Sequence, residues 1–406
     1  MSRLIMFACR TLSGEALRCA NAIRELDDVT LLTISVDEVV DVRQLIEAAR
    51  AHGAVNKIVT VHESLLVAVA QANEVLGLEA MSPETIKRTI DKSRLKATLS
   101  RAGIKTPPSE IVTTLEDARR FALDVGFPIV VKSINGSGGL TTFRIHDDEQ
   151  LTRIVSLMNG PMLAETCMTG QELCFDTVTI ANEPQCYSVC CYDPPIIDAV
   201  QDSERQWRCV IPRDLAPYDD FIREGIAAVK ALEVGNAITH MEGFIDASGP
   251  AGFVDATLRP AGARIGPMFG YAFDVDPHRL WARVAVDGCF DGPLERKYAV
   301  GTIFLRGSGS GFIETVQGIQ ALQELNDLIV EAHWPQVHVH KAQTYTGDGF
   351  VTVRHPETAV VQNALDFIDR TVEITYSSQV NRETLWTDRL QNSRELNRPA
   401  WDITVN

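Results

Sequence analysis

Two segments of this chain, far apart in the sequence, carry side chains of opposite charge and constrain the fold more than any other feature. The first begins at Asp91-Lys92 and runs through Pro128–Lys132 into the glycine-rich stretch 135–139. The second combines Thr239–Glu242 with Asp255–Arg259. Lysines and bare backbone N–H groups suit phosphates, whereas two carboxylates and an arginine suit Mg²⁺ and developing negative charge. Together the segments indicate a site for phosphate groups and a metal ion.

Length and composition describe a globular chain with several subdomains. Its 406 residues are too many for one ordinary core, so about two to four subdomains are expected. Hydrophobic residues make up 45% and charged residues 23%, and the longest apolar runs are far shorter than a membrane span. The formal net charge is −16 without any Lys/Arg-rich block, which argues against nucleic acid or an anionic membrane as a partner.

The cysteines and the first strand indicate a protein of the reducing cytoplasm. The nine cysteines show no metal-type pairs, and although Cys190 and Cys191 are adjacent, buried or free thiols are the simplest interpretation. The apolar start Leu4–Ala8 is too short for the core of a signal peptide and suits a buried strand. His338 and His340 alternate on one face of a predicted strand, but no third metal ligand lies nearby, which favours an exposed strand face.

Residues 1 to 90 alternate between strand and helix patterns. Three apolar, β-branched runs are separated by segments with helical spacing, which predicts an open parallel α/β unit. The first strand-to-helix turn has no GxGxxG, so a dinucleotide site is not supported. Ser82-Pro83 has the residues of a helix start, and we expect one helix that carries Asp91 and Lys92 and ends near Gly103.

The rest of the chain reads as a small α+β module followed by longer strands. Residues 105 to 165 combine two helices with short strands, as expected for a lid. Ala237–Ile245 and Phe253–Thr257 read as two strands joined by a turn over 246–252 that is rich in glycine, proline and other turn residues. The last region, from about 295 to 406, mixes strands and helices without recognisable chemistry.

Lys132 ends a strand immediately before the glycine-rich loop. A lysine inside a strand is costly unless its charge is paired, so a phosphate partner explains the position better than solvent does. Gly136, Ser137, Gly138 and Gly139 can turn sharply and direct N–H groups into one concavity, which would bind an anion. This loop lacks the Gly-Lys-Ser/Thr that ends a P-loop.

Glu242 and Asp255 are the candidate metal ligands. Each lies on an apolar strand, where a carboxylate is unfavourable without a cation. Two adjacent antiparallel strands would bring the two carboxylates face to face, and Mg²⁺ takes hard oxygen ligands together with substrate phosphates.

In this order, the segments resemble the ATP-grasp superfamily over about residues 1 to 290. The runs His240–Phe244 and Arg259–Gly262 are similar to the carboxylate–amine ligase branch, which includes the L-amino-acid ligases. The resemblance implies a mixed α/β and α+β chain with the ATP-grasp fold. Its expected parts are an N-terminal parallel α/β domain (1–90), a linker helix and lid (91–165), an antiparallel catalytic subdomain (166–295) and a C-terminal α+β subdomain (296–406).

The resemblance also implies a role for each candidate site residue. Lys92 would reach a nucleotide phosphate, the main chain of Glu165 to Met168 would contact the adenine, and Glu172 would accept the ribose hydroxyls. The residues implied to bind ATP are Lys92, Lys132, Gly136, Ser137, Gly138, Gly139, Glu165, Thr166, Met168 and Glu172.

Metal and catalytic residues follow from the second segment. Glu242, Asp255 and Thr257 would hold Mg²⁺, for which Mn²⁺ could substitute. Arg259 would stabilise the transferred phosphoryl group, and Arg264 would clamp a substrate carboxylate. The family usually has Glu-x-Asn-x-Arg where this chain has Asp255-Ala256-Thr257-Leu258-Arg259, so a two-metal site could become a one-metal site.

The expected function is an ADP-forming ligase that joins a small carboxylate to an amine through an acyl phosphate. Its partners would be ATP and those substrates, and a homodimer is compatible with the resemblance. One alternative is an ATP-grasp carboxylase or formate-using transferase of purine-type metabolism, which would need a basic patch near Arg259 and Arg264; the further arginines there are Arg279 and Arg283. Another alternative is a non-catalytic nucleotide-binding protein with a weakened metal site.

Overall fold

The computed structural model describes residues 2–36, 41–135, 141–158, 160–202, 204–342 and 344–378. Four candidate residues of the glycine-rich loop, Gly136, Ser137, Gly138 and Gly139, lie outside this described part. Among the described residues, no helix has the length and apolar character that a membrane crossing requires.

The N-terminal unit is a three-stranded parallel sheet with helices packed against it. Strand β1 lies in the centre, with β2 and β3 on either side, as the alternating pattern predicts. A short 3₁₀ turn, Glu63–Leu65, follows the third strand. The elements are β1 (Arg3–Cys9), α1 (Gly14–Arg24), β2 (Val29–Ser35), α2 (Val42–Ala51), β3 (Val55–Val59) and α3 (Leu66–Leu76).

The linker contains two helices instead of the single helix that the sequence predicts. Helix α4 (Pro83–Ile90) ends before Asp91, and α5 (Lys92–Arg101) begins after it. Asp91 has an extended backbone, and its carboxylate accepts hydrogen bonds from the N–H groups of Ser93 and Arg94. Because an aspartate satisfies free N–H groups at a helix start, it favours a new N-terminus at this position. The break places Lys92 in the first turn of α5.

The lid is a four-stranded antiparallel sheet with two helices on one face. The strand order is β4-β7-β5-β6, and the apolar faces of the helices share a core with Val131, Phe143 and Ile145. Thr114 caps the first helix together with Asp117. The elements are β4 (Ser109–Val112), α6 (Leu115–Val125), β5 (Ile129–Ser133), β6 (Thr142–Ile145), α7 (Asp148–Leu157) and β7 (Met162–Thr166).

The largest element is an eight-stranded sheet in the order β12-β11-β8-β9-β10-β13-β16-β15. Its strands come from both sides of the domain boundary predicted between residues 295 and 296, so that boundary falls within the part of the chain that forms one sheet. A separate antiparallel pair joins β14 to β17. The strands are β8 (Gln171–Ile180), β9 (Glu183–Asp193), β10 (Trp207–Ile211), β11 (Ala237–Asp246), β12 (Gly249–Thr257), β13 (Ala299–Leu305), β14 (Ser310–Gln317), β15 (Ile329–His333), β16 (Gly349–His355) and β17 (Glu373–Ser378).

Helices cover both faces of this sheet. One face packs on the helix Asp219–Leu232, where Phe175, Phe221 and Phe253 share a core. Alternate residues of the same strands point to the opposite face, which forms the floor of the cleft described below. The helices are α8 (Ile196–Gln201), α9 (Asp219–Leu232), α10 (Ile265–Phe273), α11 (Pro277–Ala282) and α12 (Thr358–Thr371).

The turn between β11 and β12 is shorter than the sequence suggests. The predicted loop spans 246–252, but β12 already begins at Gly249 and the register shifts twice along the pair. Gly252 has a φ of 142°. Its backbone passes so close to the segment around Lys105 that a Cβ on Gly252 would lie 2.9 Å from the carbonyl oxygen of Lys105. Gly252 therefore allows close backbone approach within a strand and does not mark a loop.

The run that contains His338 and His340 is a turn, not the strand that the alternation predicts. His338 has a φ of 67°, in the left-handed region, and only His340 forms an isolated bridge, to Phe312. The two imidazoles therefore do not share a strand face.

We expect Gly170→Ala to destabilise the fold far more than Gly160→Ala. Both glycines have similar positive φ values, 106° and 109°, and each substitution therefore costs about 1–3 kcal/mol in backbone strain. A Cβ at Gly170 would also overlap the carbonyl oxygen of Ile245, whereas a Cβ at Gly160 meets no described atom within 4 Å. The overlap should add about 2 kcal/mol. Equal unfolding free energies for the two variants in urea titrations would contradict this packing.

Candidate functional site

A deep cleft lies between the lid and the eight-stranded sheet. Its walls come from the 3₁₀ turn of the N-terminal unit, the start of α5, the lid strands, the sheet and the segment around Tyr345. The structure brings together in this cleft the predicted residues Lys92, Lys132, Glu165, Met168, Glu172, Glu242, Asp255, Thr257 and Arg259.

Lys132 belongs to a buried group of one carboxylate and two lysines. Its Nζ lies 2.6 Å from Oε1 of Glu165, and Nζ of Lys96 lies 2.7 Å from Oε2. Burial acts to raise the pKa of Glu165, but the two ammonium groups outweigh burial and lower it. Burial lowers the pKa of Lys96 to about 8. The group carries more positive than negative charge, so it is prepared to receive an anion.

Glu242 and Asp255 face each other on β11 and β12, as the sequence predicts. They are partners in the register of the two strands, and Nζ of Lys92 lies 3.0 Å from Oδ2 of Asp255. Two residues beyond Asp255, the hydroxyl of Thr257 is buried and makes no hydrogen bond within the described chain. Two hard carboxylates and an unpartnered hydroxyl are the donors that Mg²⁺ prefers, so these residues fit the ion.

Burial and neighbouring charges shift the pKa values of three carboxylates of the cleft in different directions. Burial raises the pKa of Glu172 to about 8, and Glu242 adds to the shift. Burial also raises the pKa of Asp255, although Lys92 opposes the change. Burial acts to raise the pKa of Glu242, but the hydrogen bond and charge of His240, together with the charges of Lys92 and Lys132, outweigh burial and lower it. One buried and two half-buried carboxylates in one cleft indicate a place where a divalent cation would be stabilised.

The end of the cleft beyond the lid strands contains the residues implied to hold the adenosine. Glu172 is buried, and its Oε2 accepts a hydrogen bond of 2.6 Å from the N–H of Ile196 at the start of α8. Cys167 and Met168 line the cleft after β7. Thr166, the last residue of β7, is not among the lining residues, and its backbone N–H donates to the carbonyl oxygen of Pro108.

Arg259 connects the sheet to the N-terminal unit. Its Nη2 and Nε lie 3.0 and 3.2 Å from Oε2 of Glu63, and both side chains are mostly buried. The guanidinium therefore lines the cleft while a carboxylate from a remote part of the sequence orients it.

Arg264 takes a different position from the one expected of a substrate clamp. It has a left-handed φ of 64° at the start of α10, and its guanidinium forms an ion pair with Glu331, which also accepts a hydrogen bond from Tyr271. The guanidinium lies 4.5 Å from the ring centre of Phe350. Among the described residues, Arg264 is not one that lines the cleft. A role as a clamp stays a prediction that would require release from Glu331.

Several cleft residues escape sequence reasoning. Glu63, Trp207 and Tyr345 carry no local motif and reach the site only through the tertiary fold. Lys96 had a signal, because it lies four residues after Lys92 and so on the same face of α5. Both lysines are buried, so this face of α5 is not solvated.

Comparisons with known proteins agree with this arrangement. Residues 91–176 match the family model of the carbamoyl-phosphate synthase L chain, ATP binding domain. The chain is 23% identical over 265 residues to an L-arginine-specific L-amino acid ligase of Bacillus subtilis, a match that covers 63% of this chain and 61% of that protein. The chain therefore spans about three fifths of this curated relative.

Two solved structures have similar folds along almost the whole chain. An L-amino acid ligase from Bacillus licheniformis superposes with a TM-score of 0.74 at 17% identity, over 93% of this chain and 99% of that chain. N5-carboxyaminoimidazole ribonucleotide synthetase from Thermotoga maritima superposes with a TM-score of 0.70 at 17% identity, over 92% and 100%. At these identities the likeness shows the fold.

Proposed function

We propose an activity for this chain on the basis of its ATP-grasp domain and of the ATP-grasp fold, which the sequence predicts. It is an ATP-dependent ligase that transfers the γ-phosphoryl group of ATP to a small carboxylate, forming an acyl phosphate and ADP. An amine then displaces phosphate and forms an amide. The observation that carries the proposal is the facing pair Glu242 and Asp255 in a cleft that also contains Lys92 and Lys132.

The described residues can divide the work of this reaction. Lys132 and Lys92 would hold nucleotide phosphates, and Glu242, Asp255 and the free hydroxyl of Thr257 would hold Mg²⁺, which supplies charge neutralisation at the phosphate oxygens. The guanidinium of Arg259 would stabilise charge on the transferred group. The lid sheet would keep water away from the acyl phosphate.

The pairing of the arginines supports the ligase over the purine-type alternative. A phosphorylated sugar substrate would need unpaired basic side chains beside Arg259. Arg264 is paired with Glu331, Arg279 lies 3.9 Å from Asp291, and Arg283 is paired with Asp287. An amino acid or related small acid needs less positive charge, so we favour it as the substrate.

All nine cysteines are unpaired, which supports the expected cytoplasmic location.

A phosphate-release screen of amino-acid pairs with ATP and Mg²⁺ tests the proposal. We expect phosphate release that depends on both an acid and an amine, and a product mass equal to the sum of the two minus water. Phosphate release that instead depends on bicarbonate or formate with a sugar phosphate would establish the purine-type alternative. ATP binding without release in any mixture would favour a non-catalytic nucleotide-binding protein.

We expect Arg259→Lys to lower kcat about 100-fold and to change ATP affinity less than about threefold. Lysine keeps the charge but loses the planar fork that contacts two oxygens at once, and an interaction made in the transition state appears in kcat. Steady-state kinetics and direct ATP-binding measurements separate the two effects. Arg279→Lys is the matched control, because Arg279 is exposed to solvent, and this variant should behave as the unmodified protein. A defect confined to ATP affinity would exclude the proposed role.

A further inference from the structure

A row of polar side chains crosses the floor of the cleft beside the candidate metal ligands. In the register of β8 and β11, Asp176 lies opposite His240, and Cys174 lies opposite Glu242. The four side chains share one face of the sheet because alternate residues of a strand point the same way. Cys174 and Asp176 are buried, and His240 is reached from the cleft.

The imidazole of His240 is fixed by a carboxylate at each nitrogen. Its Nδ1 lies 2.9 Å from Oδ1 of Asp176, and its Nε2 lies 3.5 Å from Oε1 of Glu242. The other oxygen of Asp176, Oδ2, accepts a hydrogen bond of 3.0 Å from Sγ of Cys174. Asp176 therefore uses both oxygens, and its orientation determines the plane of the imidazole ring.

Glu242 receives its contacts on one oxygen. The hydroxyl of Tyr192 also donates to Oε1, at 3.4 Å. Oε2 makes no hydrogen bond or ion pair to any residue in the described ranges. A carboxylate held through one oxygen presents the other in a defined direction, which is the arrangement that outer-shell residues impose on metal ligands.

We propose that Asp176 is a positioning residue that orients His240 and, through it, the Glu242 carboxylate, so that Oε2 of Glu242 is presented to the metal–nucleotide complex. This inference rests on the proposed function, because it takes Glu242 as a ligand of Mg²⁺. It adds a residue of β8 that no sequence motif marked.

Mn²⁺ binding in the presence of ADP, measured by electron paramagnetic resonance of free Mn²⁺, tests the proposal without turnover. We expect Asp176→Ala to weaken Mn²⁺ binding about tenfold, as for other outer-shell partners of metal ligands. Asp220→Ala is the matched control, since it removes an exposed aspartate of α9 that pairs with Arg223 and does not line the cleft. It should bind Mn²⁺ within about twofold of the unmodified protein.

A double-mutant cycle separates positioning from a general structural defect. If Asp176 acts through Glu242, then Asp176→Ala should cause no further loss in a chain that already carries Glu242→Gln. An additive loss, or Mn²⁺ binding unchanged by Asp176→Ala alone, would overturn the inference while leaving the proposed function intact. Failure of the unmodified protein to bind Mn²⁺ with ADP would overturn both.

The same cluster could instead bind a soft metal ion. Cys174, Asp176 and His240 each offer one potential ligand atom, and these three atoms lie within 4.8 Å of one another. Hydrogen bonds already join the three side chains. Co²⁺ added to the nucleotide-free protein distinguishes this case, because a thiolate ligand gives an intense charge-transfer absorption. We expect none. A one-to-one cobalt–thiolate band that Cys174→Ala abolishes would replace the positioning role by a metal site.

Discussion

Replacing Glu242 by glutamine is expected to lower kcat/KM for ATP-dependent phosphate release about a thousand-fold, which is a typical cost of removing one group that stabilises developing charge. Glutamine keeps the size of the side chain and can still accept the hydrogen bond from Tyr192, so the hairpin of β11 and β12 should stay folded. It removes one of the two facing negative charges, and therefore the Mg²⁺ dependence of the rate should shift to higher concentration. Phosphate release measured across a Mg²⁺ titration gives both quantities.

Two further variants make this result interpretable. Asp255→Asn should produce a similar loss, because Asp255 is the register partner of Glu242. Glu183→Gln, on the exposed start of β9 where it pairs with Lys230, should leave the rate unchanged. Full activity of Glu242→Gln at saturating Mg²⁺ would mean that the carboxylate is structural, and it would favour a nucleotide-binding protein without catalysis.

Lys132→Met is expected to reduce nucleotide-dependent turnover about 30- to 1,000-fold, since a lost charged contact to phosphate costs about 2–4 kcal/mol. The fold should survive, because Lys96 remains to neutralise Glu165 at 2.7 Å and methionine fills the space of the lysine stem. Phosphate release and thermal unfolding measured on the same sample distinguish loss of function from loss of structure.

Lys297→Met serves as the comparison for Lys132→Met. Lys297 is exposed and pairs with Asp274, well away from the residues that line the cleft. It should keep normal turnover. If Lys132→Met retained turnover as well, the assignment of Lys132 to a phosphate would be wrong.

Much of the fold could be predicted because it is encoded locally. The predicted strands Leu4–Ala8 and Ala237–Ile245 lie within β1 and β11 and differ from their bounds by one residue at most, since apolar periodicity and turn residues act over a few positions. The facing of Glu242 and Asp255 was also predictable, because it requires only that two consecutive strands pair. These features depend on neighbours in the sequence.

The features that sequence reasoning missed depend on distant partners. The carboxylate of Glu63 meets Arg259 across almost 200 positions, and no local pattern encodes that contact. Arg264 is drawn to Glu331 on β15, and Tyr345 enters the cleft from a region that showed no recognisable chemistry. The helix break at Asp91 was missed for another reason: a capping carboxylate outweighed a continuous helical pattern.

The contact between Glu63 and Arg259 has a consequence for the modularity of the chain. A chimaera of residues 91 onwards with a foreign N-terminal unit would keep the lysines, carboxylates and lid of the cleft. It would lack Glu63, the carboxylate that orients Arg259. Recombination at this junction would therefore be tolerated where the incoming unit presents an acidic residue on the turn after its third strand. The N-terminal unit and Arg259 are thus structurally coupled, although the two are separate in the sequence.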